Sequence, residues 1–339
     1  MKPADRAFEL VNGFRAAQIV RAAVELRIPD LIADGAMSCG ELSVASHIDT
    51  DRLRRLLRGL VALGVLDQSS DDRFSNTEVG ELFREGVRGS RRAMARMLVP
   101  EAYRAWDYFL ETVRTGVPGQ VLAHGGTLWE SIARDPDFAA RFNEAMAANS
   151  QQVVDLVASL DFASARLIVD VGGGKGSLAG GIMKAHPHLK AVVCDIPAGL
   201  AEAPDYLAAI GVADRCEVVE SDFFESVPSG GDVYLLKDIL HDWDDEHAAA
   251  ILSVCRRAMR RGTRIMIVER LAASRVTNDP VHLNAVMADL HMMVLLGGRE
   301  RSVVELQQMF ERAGFNLDRT HAGDPFQVVV GLAQGVDPR

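Results

Sequence analysis

Between Val169 and Gly176 the chain reads Val-Asp-Val-Gly-Gly-Gly-Lys-Gly, with an acid, Asp170, two residues ahead of the first of three alternating glycines, Gly172, Gly174 and Gly176. A glycine turn between strand and helix lets the backbone approach a ligand closely, with the helix N-terminus behind it. Alone, this loop also permits a dinucleotide reading, because Gly174, Gly176 and Ala179 satisfy G-x-G-x-x-A. Two further acids narrow the choice. Asp195 ends the next β-rich run, where a carboxylate accepts hydrogen bonds from both hydroxyls of a ribose. Asp222, followed by Phe223, ends the run after that, where an acid holds an adenine amino group and an aromatic stacks on the ring. Asp195 would suit NAD equally well. The addition of Asp222-Phe223 favours S-adenosylmethionine, whose methionyl amino group Asp170 can reach directly or through water. Each residue alone is also explained as a tight turn, a strand end or a helix cap. The ordered series is not, because ligands of open α/β sheets bind at the carboxyl ends of the strands.

Elements that place these residues on one edge are legible from Phe162 onward. The β-rich runs RLIVDV, KAVVCD, CEVVES, DVYLLK and RIMIVE alternate with helical segments, such as Ser177–Ala185, Ala198–Ile210 and Asp244–Arg261. Alternation at this length means a parallel sheet with helices on both faces, an α/β Rossmann-like domain. After helices near Val281–Leu295 and Val303–Ala313, the runs FNLDRTH and FQVVVGL follow in close succession and are expected to be antiparallel. Upstream the texture is helical. Phe8, Val11, Ile19, Ala22, Ala23 and Leu26 recur at helical spacing until Pro29. A helix at Gly40–Ser46, a turn, and a helix at Asp51–Leu63 with Leu53, Leu56, Leu57 and Leu60 on one face precede the polar run DQSSDDR. Helix–turn–helix followed by a hairpin at Phe74 and Thr77 is a winged-helix pattern. Further helical segments are expected from about Ser90 to Thr115 and from Leu128 to Leu160, separated by a Gly- and Pro-containing loop. The reading divides the chain into a helical domain, 1–160, and a donor-binding α/β domain, 161–339.

Composition sets outer limits. The chain has 339 residues, enough for two cores, with 48% hydrophobic and 25% charged residues. A formal charge of −10 argues against nucleic acid as a partner. The four cysteines, Cys39, Cys194, Cys216 and Cys255, show no C-x-x-C spacing and read as reduced thiols of a cytoplasmic protein. The charged start MKPADRAFEL lacks a signal peptide's apolar run, and no stretch has the ~18–20 apolar residues of a membrane span.

Taken in order, VDVGGGKG, CDIP, SDFF, LLKDILHDWDDEH, IVE and GGRER resemble the plant-type O-methyltransferase family, which includes the caffeic acid and flavonoid enzymes and bacterial natural-product relatives. The resemblance covers most of the chain. It implies a class I methyltransferase domain using S-adenosylmethionine and releasing S-adenosylhomocysteine, without a metal. It also implies that the winged-helix region serves homodimerisation and that the acceptor is a small aromatic molecule. By the same resemblance His241 is the general base, with Glu269 and Glu300 as its flanking carboxylates. Gly172, Asp195, Asp222, Phe223 and Lys237 match donor-binding positions. Met146 and Met292 match methionines that sandwich a flat acceptor, and Asn149 and Ser150 lie where the family contacts the donor's methionyl end. A leucine, Leu295 or Leu296, stands where many plant members carry asparagine, which argues against a plant phenylpropanoid substrate.

The chemistry explains why a base is needed. A phenolate attacks a methyl carbon far better than a phenol, and transfer from a phenol of pKa about 10 to a histidine of about 6.5 is uphill by about 5 kcal/mol. A carboxylate on the far ring nitrogen both orients the histidine and stabilises its cation. Asp242, Asp244, Asp245 and Glu246 read instead as first-turn acids of the following helix, placed by its dipole. With His247 they also have the composition of a divalent-metal site, but the dipole is already a sufficient cause. Trp243 reads as a core anchor ahead of an adenine wall. Three other functions stay open at this point: nitrogen methylation, a donor-binding hydroxylase or decarboxylase of the same fold, and a winged-helix DNA-binding regulator. The last would use Arg52, Arg54, Arg55 and Arg58, yet Asp49, Asp51, Asp67, Asp71 and Asp72 crowd the same region.

Overall fold

A computed structural model of the chain describes residues 2–97 and 101–335. It separates into two compact units, one up to residue 100 and one from residue 101.

In the first unit, the helix Pro3–Glu25 opens with proline in its first turn and ends just before Arg27, whose φ of 55° is left-handed. The helix Cys39–Ser46 begins with a reciprocal Ser38/Glu41 capping box. The helix Thr50–Ala62, capped by Asp49, buries Leu53, Leu57 and Leu60 against Ile28, Leu42 and Phe74. Three short strands, β1 (Met37–Ser38), β2 (Leu66–Gln68) and β3 (Arg73–Asn76), form an antiparallel sheet in the order β1-β3-β2. The winged-helix pattern read from the sequence is therefore present. Within it Arg54 is paired with Asp72 of the wing at 2.7 Å, which compensates part of the basic face a DNA reader would need.

The second unit is built on a seven-stranded sheet of β4 (Leu167–Val171), β5 (Lys190–Asp195), β6 (Cys216–Glu220), β7 (Val233–Lys237), β8 (Arg264–Glu269), β9 (Phe315–His321) and β10 (Gln327–Ala333). The strand order is β6-β5-β4-β7-β8-β10-β9. The first five are parallel, and β10 runs antiparallel to both β8 and β9, as expected for the closing pair. Successive strand residues feed opposite faces: Ile168, Val233, Leu235, Met266 and Val268 enter one core, and Val169, Tyr234, Leu236, Ile265 and Ile267 the other. With helices on both faces, a ligand is expected at the carboxyl ends of the parallel strands.

Each of the two expected helical segments is made of several helices. The segment from Ser90 to Thr115 contains helices Arg92–Met97, Glu101–Asp107 and Phe109–Thr115, with residues 98–100 outside the described ones. The segment from Leu128 to Leu160 is divided into Leu128–Arg134, Pro136–Gln151 and Val154–Ala158. At the first break Pro136 cannot continue a helix, and Asp135 caps the next one by accepting the Phe138 N–H at 3.0 Å. The sequence division at 160 marks where the β/α alternation starts, while compactness groups the helices from Glu101 onward with the sheet.

Candidate active site

Parallel register brings the carboxyl ends of β4, β5 and β6 level, with Val171 opposite Cys194 and Asp195 opposite Glu220. Beyond those ends lie Gly172, Ile196 and Asp222. Gly172 has a φ of 66°, and a Cβ there would come within 2.4 Å of the Ile239 side chain, so only glycine fits this turn. Asp195 accepts the Gly174 N–H at 2.8 Å and the Ile196 N–H at 2.7 Å, and burial raises its pKa. Asp170 is buried beneath the loop, accepting the Ala179 N–H at 3.3 Å, and burial pushes its pKa up to about 7. Asp222 is exposed and closes its own turn by accepting the Phe224 N–H at 2.8 Å. Phe223 and Phe224 meet the Trp243 ring edge-on, at 6.3 and 4.7 Å between centroids. Trp243 thereby packs on the core and lines an aromatic wall at once, with its indole N–H unpartnered.

Next along the edge, β7 ends at Lys237, and the chain turns sharply through Asp238, whose φ of 53° is left-handed for a non-glycine residue. Its carboxylate is held by the Lys237 ammonium and by the Asn149 amide at 2.8 Å, with the Arg270 guanidinium 3.8 Å away. Such strain persists only where neighbours over-determine it. Lys237 also lies over the Phe326 ring at 5.2 Å. Asp238 Oδ1 is buried and accepts no hydrogen bond from the described residues. An orphaned buried carboxylate oxygen, on a residue whose other oxygen Asn149 holds, suits an ammonium such as the methionyl amino group. By this criterion the edge fits S-adenosylmethionine.

A short 3₁₀ turn, Leu240–Asp242, carries His241. Glu269, at the end of β8 and wholly buried, accepts the N–H groups of Leu240 and His241 at 2.7 and 3.1 Å. Arg301 is fully buried and clamps the carbonyls of Leu240 and Trp243 at 2.6 and 2.7 Å. From the other side, the Arg299 N–H donates to the His241 carbonyl at 2.9 Å, and a Cβ at Gly298 would lie 2.0 Å from that carbonyl. The GGRER run is thus the seat of the histidine turn, with Arg299 and Arg301 holding backbone, Gly298 leaving room and Glu300 reaching the ring.

The His241 ring is 5% exposed. Its Nδ1 faces Glu300 Oε1 at 3.0 Å, and its Nε2 lies 3.3 Å from Asp242 and 3.9 Å from Asp238. Burial alone would lower its pKa, but the carboxylates of Asp242, Asp238 and Glu300 outweigh burial and push it up to about 10. Burial pushes Asp242 and Glu269 up to about 7 each against the opposing pull of His241, so the group titrates as a coupled set. Two sequence expectations change here. Asp242 is not a first-turn acid of the next helix. That helix, Asp245–Ala258, starts after its N-cap Asp244, and Asp242 belongs to the preceding 3₁₀ turn, which directs it inward to His241. Glu269, expected beside the imidazole, gives its Oε1 to the backbone N–H groups of the turn that carries it. Asp245 pairs with Arg301 at 3.0 Å, and no group of three or more His, Cys, Asp or Glu among the described residues is placed to hold a metal ion.

Asn149 enters this centre through Asp238, and Met146, half-buried, lies one turn before it on the helix Pro136–Gln151. Met292 sits, half-buried, on the helix Pro280–Leu295, which is tied to the His241 seat because Asp289 accepts the Glu300 N–H at 2.9 Å. Sequence reading missed Asp238, Arg270, Arg301 and His291. Asp238 and Arg301 lay in motifs already singled out, LLKDILHDWDDEH and GGRER.

This sheet order, with its glycine loop and acid-bearing strand ends, defines a class I S-adenosylmethionine-dependent methyltransferase. Residues 106–316 match the model of an O-methyltransferase domain, and residues 8–86 that of an O-methyltransferase dimerisation domain. The chain belongs to this O-methyltransferase family. It is 34% identical to the mitomycin biosynthesis 6-O-methyltransferase of Streptomyces lavendulae, over 92% of this chain and 89% of that one. It is 39% identical to the 3-amino-4-hydroxybenzoate 4-O-methyltransferase of Streptomyces cremeus, over 92% and 85%. Among solved structures, an O-methyltransferase from neocarzinostatin biosynthesis, in complex with S-adenosylmethionine and 2-hydroxy-5-methyl naphthoic acid, superposes with a TM-score of 0.79 at 31% identity, over 94% and 95% of the two chains. Among the described residues, no helix is long and apolar enough to cross a membrane.

Proposed function

We propose that this enzyme methylates a phenolic hydroxyl of an aromatic small molecule in secondary metabolism, with His241 as general base. The observation that carries the reading is the buried His241 ring, bonded to Glu300 through Nδ1 and lying near two further carboxylates with Nε2. The relatives' named acceptors, a hydroxybenzoate and a naphthoic acid, support an aromatic substrate. Bound S-adenosylmethionine supplies an electrophilic methyl carbon on a sulfonium. The protein's part is to hold the acceptor oxygen in line, exclude water and take the proton. His241 Nε2 accepts the phenolic proton while Glu300 receives the Nδ1–H, and Asp242 and Asp238 stabilise the imidazolium. The carboxylates that raise the imidazolium pKa toward that of a phenol reduce the uphill cost an isolated histidine would face. Glu269 and Arg301 act as positioning residues, and Asp170, Gly172, Asp195, Asp222, Phe223, Lys237 and Asn149 form the donor cradle. Met146 and Met292 face the acceptor ring. The reading is tested by incubating the enzyme with isotopically labelled S-adenosylmethionine and a panel of hydroxyarenes and arylamines. Label on phenolic oxygen is expected; label on nitrogen alone would move the assignment to amine methylation.

The same reading includes a homodimer. Phe8 and Val11 are 67% and 77% exposed on the first helix, apolar surface that a single chain leaves uncovered. Light scattering is expected to give about twice the chain's 36.8 kDa, and Phe8→Glu with Val11→Glu to halve it. A wild-type mass of one chain at micromolar concentration would exclude the dimer.

A further inference from the structure

His291 lies on the helix Pro280–Leu295, one residue before Met292 and two after Asp289, which ties this helix to the backbone of Glu300. Its Nδ1 accepts the indole N–H of Trp106 at 3.1 Å, and the two rings are nearly parallel, with centroids 6.2 Å apart. An indole nitrogen only donates, so Nδ1 must present its lone pair and the proton of the ring must sit on Nε2. Burial and the nearby charges of His241 and Arg270 all disfavour a second proton, lowering the pKa to about 4. Nε2 bonds to no described residue, yet it is not among the polar atoms sealed inside the protein. The ring is therefore a neutral donor of fixed tautomer, near His241, with nothing among the described residues to receive its proton.

We propose that His291 is a specificity-determining residue of the acceptor site, presenting Nε2–H to a carbonyl oxygen carried on the ring of the aromatic acceptor. The proposal rests on the methyl-transfer reading above. Because Trp106 occupies Nδ1, the histidine cannot change tautomer to become an acceptor, so it favours molecules bearing an oxygen lone pair and disfavours those presenting a C–H or N–H there. Trp106 is a positioning residue, acting only through the ring it pins.

The test uses the full chain loaded with S-adenosylhomocysteine and two isosteric pairs of probes: 3- and 4-hydroxyacetophenone against 3- and 4-isopropylphenol, in which a methyl replaces the carbonyl oxygen. By calorimetry, one ketone is expected to bind wild type about tenfold more tightly than its isostere. His291→Phe is expected to abolish that preference while leaving the affinity for the isopropylphenols within about threefold, and His291→Gln, which restores an N–H, to recover part of it. With S-adenosylmethionine, His291→Phe is expected to raise KM for the favoured ketone while leaving kcat for each acceptor near its wild-type value. No preference in wild type, or an undiminished preference in His291→Phe, overturns the proposal. A merely structural histidine would weaken both members of each pair alike. Carbonyl-dependent binding without any methyl transfer to oxygen would leave this inference standing and sink the reading on which it rests.

Discussion

His241→Ala is expected to bind donor and acceptor nearly as wild type does and to lose about 10²–10⁴-fold in kcat. The expectation follows from the ring's surroundings. Glu300 holds Nδ1 at 3.0 Å, and Asp242 and Asp238 raise the imidazolium to about 10, so the wild-type turn can hold a proton taken from a phenol. Alanine removes that proton site without touching the glycine loop. Glu300→Gln should show a smaller defect in the same direction, since it only orients the ring and stabilises its charge. The pH dependence has a definite sign. A base whose conjugate acid lies near 10 is mostly protonated at neutral pH, so wild-type kcat/KM should climb with pH from 7 towards 10. Stability should move the other way. His241 has a folded pKa above its unfolded value of about 6.5, so its stabilising contribution is complete below about 6.5 and is lost as pH rises towards 10. Thermal melts between pH 6 and 10, set beside rate profiles over the same range, would show these opposing trends. A rate that is flat over that range would contradict the assignment.

Asp195→Ala is expected to weaken S-adenosylhomocysteine binding at least tenfold. Two ribose hydrogen bonds to a charged acceptor contribute on the order of 1.5–3 kcal/mol each. The carboxylate is oriented before any ligand arrives, because the N–H groups of Gly174 and Ile196 each take one of its oxygens. Gly199 makes room for it, since a Cβ there would approach the carboxylate carbon to 2.7 Å. Calorimetry with S-adenosylhomocysteine, with circular dichroism as a check on folding, decides the matter. Unchanged affinity in a folded variant would remove Asp195 from the donor site and reopen the dinucleotide reading of the glycine loop.

The donor cradle was legible because its residues sit at ends of consecutive strands. Parallel pairing carries Gly172, Asp195 and Asp222 to one edge whatever the helices between them do. The winged-helix unit was legible for a related reason, its apolar period and capping residues being local. Residues placed by long-range contacts were not. Asp242 lies three residues before the start of a helix with acids in its first turn, and only the intervening 3₁₀ turn distinguishes it from them. Arg301 in sequence is one more loop arginine; in the fold it is fully buried, because the turn it clamps leaves two carbonyls that need donors. Trp106 and His291 stand 185 positions apart, and neither neighbourhood hints at the other. Glu269 was singled out by resemblance, but which partner its carboxylate takes, backbone or ring, could come only from coordinates.

The central claim, that His241 takes the proton from an acceptor hydroxyl, is tested most directly by the ratio of wild-type to His241→Ala kcat across a series of substituted phenols of graded acidity. The account predicts a ratio of about 10²–10⁴ for the least acidic acceptors, falling steadily as electron-withdrawing groups bring the phenolate within reach without help. A ratio independent of acceptor pKa, with the variant folded and binding donor normally, would contradict it and leave the histidine a positioning role at most.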